Sequence, residues 1–140
     1  VMEGVYSNYL RFTNFGFALT GSETITSVQI EVACLKSAGT IALSSMQLIK
    51  AGSPAGSDVS PSLNLSSSET YVSYTGTVVG NWGTTLSGTD VNSSSFGVQV
   101  MFQVSGGVNG TVSVDACRIT LTYSGGAASL LSRTTTCFAG

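Results

Sequence analysis

The chain has 140 residues, enough for one hydrophobic core and short for two. Charged residues make up 9%, against about 25% in an average domain, and about 40 serines and threonines with 17 glycines replace them. An apolar share of 42% at a formal net charge of -2 excludes a disordered chain. The scattered cations Arg11, Lys36, Lys50, Arg118 and Arg133 exclude a basic nucleic-acid groove, and no apolar run reaches the ~18 residues of a membrane-spanning helix.

Along the chain, Tyr9 to Thr13 reads as a first short strand. Ile25 to Leu35 places Val28, Ile30, Val32 and Cys34 on one face and Gln29, Glu31 and Ala33 on the other, the pattern of a half-buried strand. Ile41 to Ile49 follows as another. The Gly/Ser/Pro stretch from Ala51 to Ser68 is a connection carrying a short edge strand at Val59 to Leu65; Pro54 and Pro61 fit there because neither can donate to a central ladder. Thr70 to Tyr74 and Thr75 to Val79 are two further candidates. One helical turn is expected at Thr89 to Ser93, capped by Thr89 or Asp90. Val98 to Val104 alternates with Val98, Val100, Phe102 and Val104 together, and Thr111 to Tyr123 does the same with a break in parity near Ala116 to Arg118 that predicts a bulge.

Two echoes, Phe15-Gly16 and Phe96-Gly97, read as aromatic plugs of the core beside glycines that allow a positive φ or a close approach. Short strands separated by turn signals, without a helical stripe, predict an all-β, antiparallel sandwich of jelly-roll type with seven or eight strands. Residues 1–123 form that domain. From Ser124 the composition changes, and 124–140 reads as an extended C-terminal tail outside the sheet, with Leu130, Leu131, Cys137 and Phe138 as its assembly contacts. The N-terminus, Val1-Met2-Glu3, carries no signal-peptide pattern.

The chain lacks histidine, the usual general base and metal ligand at neutral pH. No cofactor, metal centre or enzymatic activity is expected. The best catalytic guess is a carboxylate pair, Glu31 and Asp115, on strands that could face each other; a glycosidase needs such a pair about 5–10 Å apart in a cleft. A calcium site at Asp90 and Asn92 lacks a third acid. Cys34, Cys117 and Cys137 cannot all pair within one chain, and Cys34 with Cys117 is the candidate disulfide. Trp82, with Tyr71 and Tyr74, is either an anchor for a long loop or a stacking platform for a glycan.

The order of motifs carries a resemblance. Phe15-Gly16-Phe17 leads into Thr24-Ile25-Thr26-Ser27-Val28-Gln29-Ile30-Glu31-Val32, then Leu48-Ile49-Lys50 with Gly52-Ser53-Pro54, Trp82-Gly83, Asp90-Val91-Asn92, Phe96-Gly97-Val98 and Val114-Asp115-Ala116-Cys117-Arg118-Ile119-Thr120-Leu121-Thr122-Tyr123. From about Ser7 to Tyr123 this resembles a β-sandwich module of tailed-phage structural and appendage proteins. The resemblance implies a non-catalytic virion protein: a capsid decoration or cement protein, a head fibre or a tail appendage. Its implied partners are further copies of itself and other virion proteins such as the major capsid protein, with neither nucleic acid nor membrane. The alternative is a carbohydrate- or receptor-binding adhesin module that contacts a host surface glycan.

Overall fold

The computed structural model describes residues 5–105, 110–125 and 128–138, with Val5, Tyr6 and 128–138 described by their main chain. In chain order the elements are β1 (Val5–Tyr6), β2 (Leu10–Thr13), β3 (Thr24–Lys36), β4 (Ile41–Lys50), β5 (Ser53–Ala55), β6 (Leu63–Asn64), β7 (Thr70–Thr77), the helix α1 (Gly88–Asn92), β8 (Gly97–Val104), β9 (Val112–Gly125) and β10 (Ala128–Phe138). They form two antiparallel sheets packed as a β-sandwich. In the first, β8 pairs with β4; β1 and β2 lie along the far side of β8, and β5 and β6 along the far side of β4. The second has the order β10-β9-β3-β7.

The two-residue alternation decides which face turns inward. Val28, Ile30, Val32 and Cys34 of β3 meet Val98, Val100 and Phe102 of β8 in one buried cluster with Leu43, Met46 and Leu48 of β4. In β9 the alternation changes phase, because Ala33 pairs with Ala116 while Cys34 pairs with Val114. Asp115 is the extra residue of this bulge and is exposed. Val112 and Val114 before it, and Cys117, Ile119, Leu121 and Tyr123 after it, can therefore all reach the core. The predicted bulge is present, just before Ala116.

The chain leaving β3 at 37–40, Ser105 after β8 and Thr111 before β9 lie side by side at one end. Ser37 N–H donates to Thr111 O at 3.0 Å, Thr111 N–H donates to Ser37 Oγ at 2.8 Å, and Ser105 N–H donates to Thr40 O at 2.9 Å. The other end is plugged by Phe15, Phe17, Leu86, Val91 and Phe96. The Phe-Gly echoes serve as expected: Gly16 has φ +78, and a Cβ on Gly97 would stand 1.8 Å from the carbonyl oxygen of Phe12, where β2 pairs with β8.

Helix α1 is capped by Ser87 and not by Thr89 or Asp90. Ser87 Oγ accepts from Asp90 N–H at 3.3 Å while the Asp90 carboxylate accepts from Ser87 N–H at 2.9 Å, a reciprocal capping box. Beside it Glu23 is buried and accepts from Thr20 N–H, Thr20 Oγ–H and Gly21 N–H, each at 2.8 Å. Burial pushes this carboxyl upward, but the bonds from Thr20 and the neighbouring main chain outweigh it and hold the pKa down at about 2.

Two expectations are corrected. The segment 128–138 is a strand of the second sheet and not a tail outside it: β10 pairs with β9 from Gly125 back to Ala116 and covers main-chain groups that a long β9 would otherwise leave open. Its runs Leu130-Leu131 and Thr134-Thr135-Thr136 break the alternation by which a strand is recognised. Second, Thr70 to Tyr74 and Thr75 onward are one strand, because Gly76 continues it where a Cβ would meet the Asn81 side chain at 2.6 Å. The described strands of four or more residues number seven, as expected, and β1, β5 and β6 add edge pieces of two or three residues.

Two outcomes follow from these contacts. Gly97→Ala lowers unfolding stability by about 1–3 kcal/mol in denaturant titration, because β2 must move away from β8. Glu23→Gln is less stable than the parent at neutral pH. The carboxylate's contribution is complete above its ordinary pKa of 4.5 and is lost as pH falls through about 2. Acid titrations of the two proteins therefore converge across that window.

Candidate functional site

The residues singled out from sequence fall into separate places. Trp82 is fully buried; its indole N–H donates to Val28 O at 3.2 Å and its ring meets Tyr74 edge-on at 5.4 Å between centroids. It anchors the loop after β7 onto β3. Tyr71, 43% exposed, lies on the outer face of the second sheet. The three aromatics form no common platform for a glycan, which corrects that half of the expectation.

Glu31 and Asp115, the candidate carboxylate pair, are held in different ways. Glu31 is register-paired with Arg118, which grips it through a two-pronged fork, Nε to Oε1 and Nη2 to Oε2, both 2.8 Å. This fork holds the Glu31 carboxyl below the usual range against the opposing push of burial. The same guanidinium lies 4.2 Å above the Tyr71 ring, on β7 beyond β3. Asp115 stands apart in the bulge.

Asp90 is used in the capping box and lies 3.7 Å from Lys50 Nζ. Asn92 binds the main chain of Leu19 with both ends of its amide at 2.8 Å. Among the described residues no acidic, histidine or cysteine cluster could hold a metal ion.

Cys34 and Cys117 are not bridged to each other; the bulge gives them different register partners across the β3–β9 ladder, Val114 and Val32 respectively. Burial pushes the Cys34 thiol up to about 11, with the charge of Glu69 adding to it, so it is not poised as a nucleophile. Leu130, Leu131, Cys137 and Phe138 lie within β10, and their side chains are outside the described residues. On the backbone, Cys137 is the register partner of Cys117.

A cleft of about 360 Å³ is lined by Leu10, Ile41, Phe102, Val104, Val112 and Val114 with Ser7 and Asn8. Among the described residues that line it none is titratable.

The strand edges are more distinctive, because their main-chain groups are protected unequally. In the first sheet both central strands are covered. Along β4, β5 meets Leu48 to Lys50, the Asp58 carboxylate accepts from Met46 N–H at 3.1 Å and Ser45 Oγ–H at 2.6 Å, Val59 N–H donates to Met46 O, and β6 meets Ala42 and Leu43. Along β8 lie β1, Ser7 and β2. The covering pieces are short, and β5 carries Pro54 and β2 Arg11, features that blunt an edge.

In the second sheet, β7 is an edge eight residues long, Thr-Tyr-Val-Ser-Tyr-Thr-Gly-Thr, without charge or proline. Val78 N–H donates to Thr26 O, so even-numbered residues bond inward to β3. Odd-numbered residues face outward. At Thr77 these groups are already taken: its N–H by Asn81 Oδ1 at 2.9 Å and its carbonyl by Asn81 and Trp82 N–H. Among the described residues no hydrogen bond reaches the outward main-chain groups of Tyr71, Ser73 or Thr75. Sequence reasoning missed this edge, although an uncharged, proline-free β run after Glu69 was its available signal.

Two substitutions separate anchor from surface. Trp82→Ala costs about 3–5 kcal/mol in denaturant titration through the cavity it opens, whereas Tyr71→Ala changes stability by less than about 1 kcal/mol, the scale of an exposed cation–π contact. Compared with protein-family models, curated proteins and solved structures, the chain has no match.

Proposed function

We propose that the chain is a non-enzymatic structural protein of a virion, decorating or cementing the capsid or forming part of a fibre or tail appendage through protein–protein contacts. The observation that carries the assembly half of this reading is the contrast between the edges: those of β4 and β8 are covered, while β7 presents uncharged main chain that no described residue pairs along Tyr71 to Thr75. A strand edge of that kind is a template for another chain. The virion setting rests on the resemblance of Ser7 to Tyr123 to phage sandwich modules. Further copies and a shell protein such as the major capsid protein are its partners.

The polar residues support an architectural use. Glu23, Asp58 and Asp90 bind backbone, Glu31 binds Arg118, and Asn92 binds Leu19. A module that binds only the assembled shell stabilises that shell by mass action. The adhesin alternative loses its main support, because the aromatic that would stack on a sugar is in the core.

The reading is tested by purifying particles from the source on a density gradient and quantifying this chain's peptides by mass spectrometry. The expected result is a fixed ratio to the major shell protein across the particle peak; absence from the particle fractions rejects the virion assignment.

A further inference from the structure

We infer that the open edge of β7 pairs with β7 of a second copy, antiparallel about a two-fold axis at Ser73, joining the two four-stranded sheets into one. The inference rests on the assembly reading above and names the partner at that edge.

The geometry is self-complementary. The outward groups belong to Tyr71, Ser73 and Thr75, so a two-fold at Ser73 sets Ser73 against its own copy and Tyr71 against the partner's Thr75. Each pair can exchange both N–H···O bonds, as the narrow pairs of an antiparallel ladder do. Between them, on the inner face, Val72 meets the partner's Tyr74. Both are half-buried hydrophobics packed at the rim of the core, and pairing covers what the edge leaves open. Tyr71 is among the few large apolar side chains exposed among the described residues, and it gains a β-branched neighbour.

The ends of β7 select the register. Shifting the axis to Thr75 would set Ser73 against Thr77, whose N–H and carbonyl are already bonded by the Asn81–Trp82 turn. Shifting it to Tyr71 would bring the exposed Glu69 into the ladder opposite Ser73 and draw the two carboxylates toward each other. With the axis at Ser73, the paired segment Tyr71 to Thr75 contains no charge, so nothing repels across the two-fold. A contact this narrow buries less than the ~1,200 Å² of a standard stable interface. It therefore forms a weak dimer, made lasting by the high local concentration on an array.

The test is sedimentation equilibrium of the full chain from micromolar to millimolar concentration, beside Ser73→Lys, with a cysteine cross-link as a second measurement. The expected result is a monomer–dimer equilibrium that Ser73→Lys weakens by at least about tenfold, with unchanged thermal unfolding because the site is exposed. Under mild oxidation Ser73→Cys gives a dimer whose cross-link maps to position 73 in both copies, since paired Cα atoms about 5.5 Å apart suit a disulfide. Thr77→Cys gives no such dimer. A wild-type chain that stays monomeric at millimolar concentration, a Ser73→Lys dimer as tight as the parent's, or a cross-link mapping elsewhere overturns the pairing. A monomeric chain present on particles overturns the pairing alone; a two-fold dimer absent from particles supports the pairing and rejects the virion reading.

Discussion

The ladder between β3 and β9 is the constraint on which the other elements depend. It runs from Thr24 paired with Ser124 to Lys36 paired with Val112 and joins the two longest of the described strands. On its outer sides it carries β7 and β10. At one end both strands reach the segments that adjoin β4 and β8, whose own pairing closes the opposite layer. The bulge at Asp115 keeps this long ladder compatible with a single core. A straight fourteen-residue strand of this sequence would turn either Val112 and Val114 or Cys117, Ile119 and Leu121 outward.

Low charge gives the surface its character. With few ion pairs available, main-chain groups are satisfied by short segments and by side-chain oxygens: Asp58 along β4, Ser7 along β8, Glu23 and Ser87 around the helix. The same scarcity leaves β7 without the lysine or inward charge that commonly guards an edge. The Arg118–Glu31 fork with Tyr71 is the main charged feature described on the outer face of that sheet, and it spans β9, β3 and β7 without reaching beyond β7. It fastens the edge strand to its neighbours while leaving the outward hydrogen-bonding groups open.

Much of the sandwich was legible because β3, β8 and β9 alternate cleanly and the parity break in β9 is visible as adjacent Ala116 and Cys117. The Phe-Gly pairs also announced their roles. β10 was illegible because Leu-Leu and Thr-Thr-Thr carry no period of two, and its place depends on β9 needing a partner. The cap of α1 had a usable signal in Ser87-Gly88-Thr89-Asp90, a capping-box spacing that reading the turn from Thr89 onward passes over. Trp82 and Tyr71 could not be told apart by sequence: both are aromatics in hydroxyl-rich surroundings, and only the fold places one beneath a loop and the other on a face. The candidate site was least legible, since an edge is defined by what fails to pair with it.

The architecture also orders events in time. Residues such as Glu31 and Arg118, facing across the central ladder, are 87 positions apart in the chain, whereas Ser27 and Gly76 on the β3–β7 side are 49 apart. The nearer pairing can form first, leaving the other edge of β3 and its apolar face waiting until Val112 to Gly125 arrives. Long loop closure makes such non-local sheets slow to fold, in the millisecond-to-second range. During that interval β3 exposes a strand edge of its own, so crowded synthesis favours mispaired chains unless the C-terminal third emerges promptly. The ladder that stabilises the finished sandwich is thus also its kinetic bottleneck.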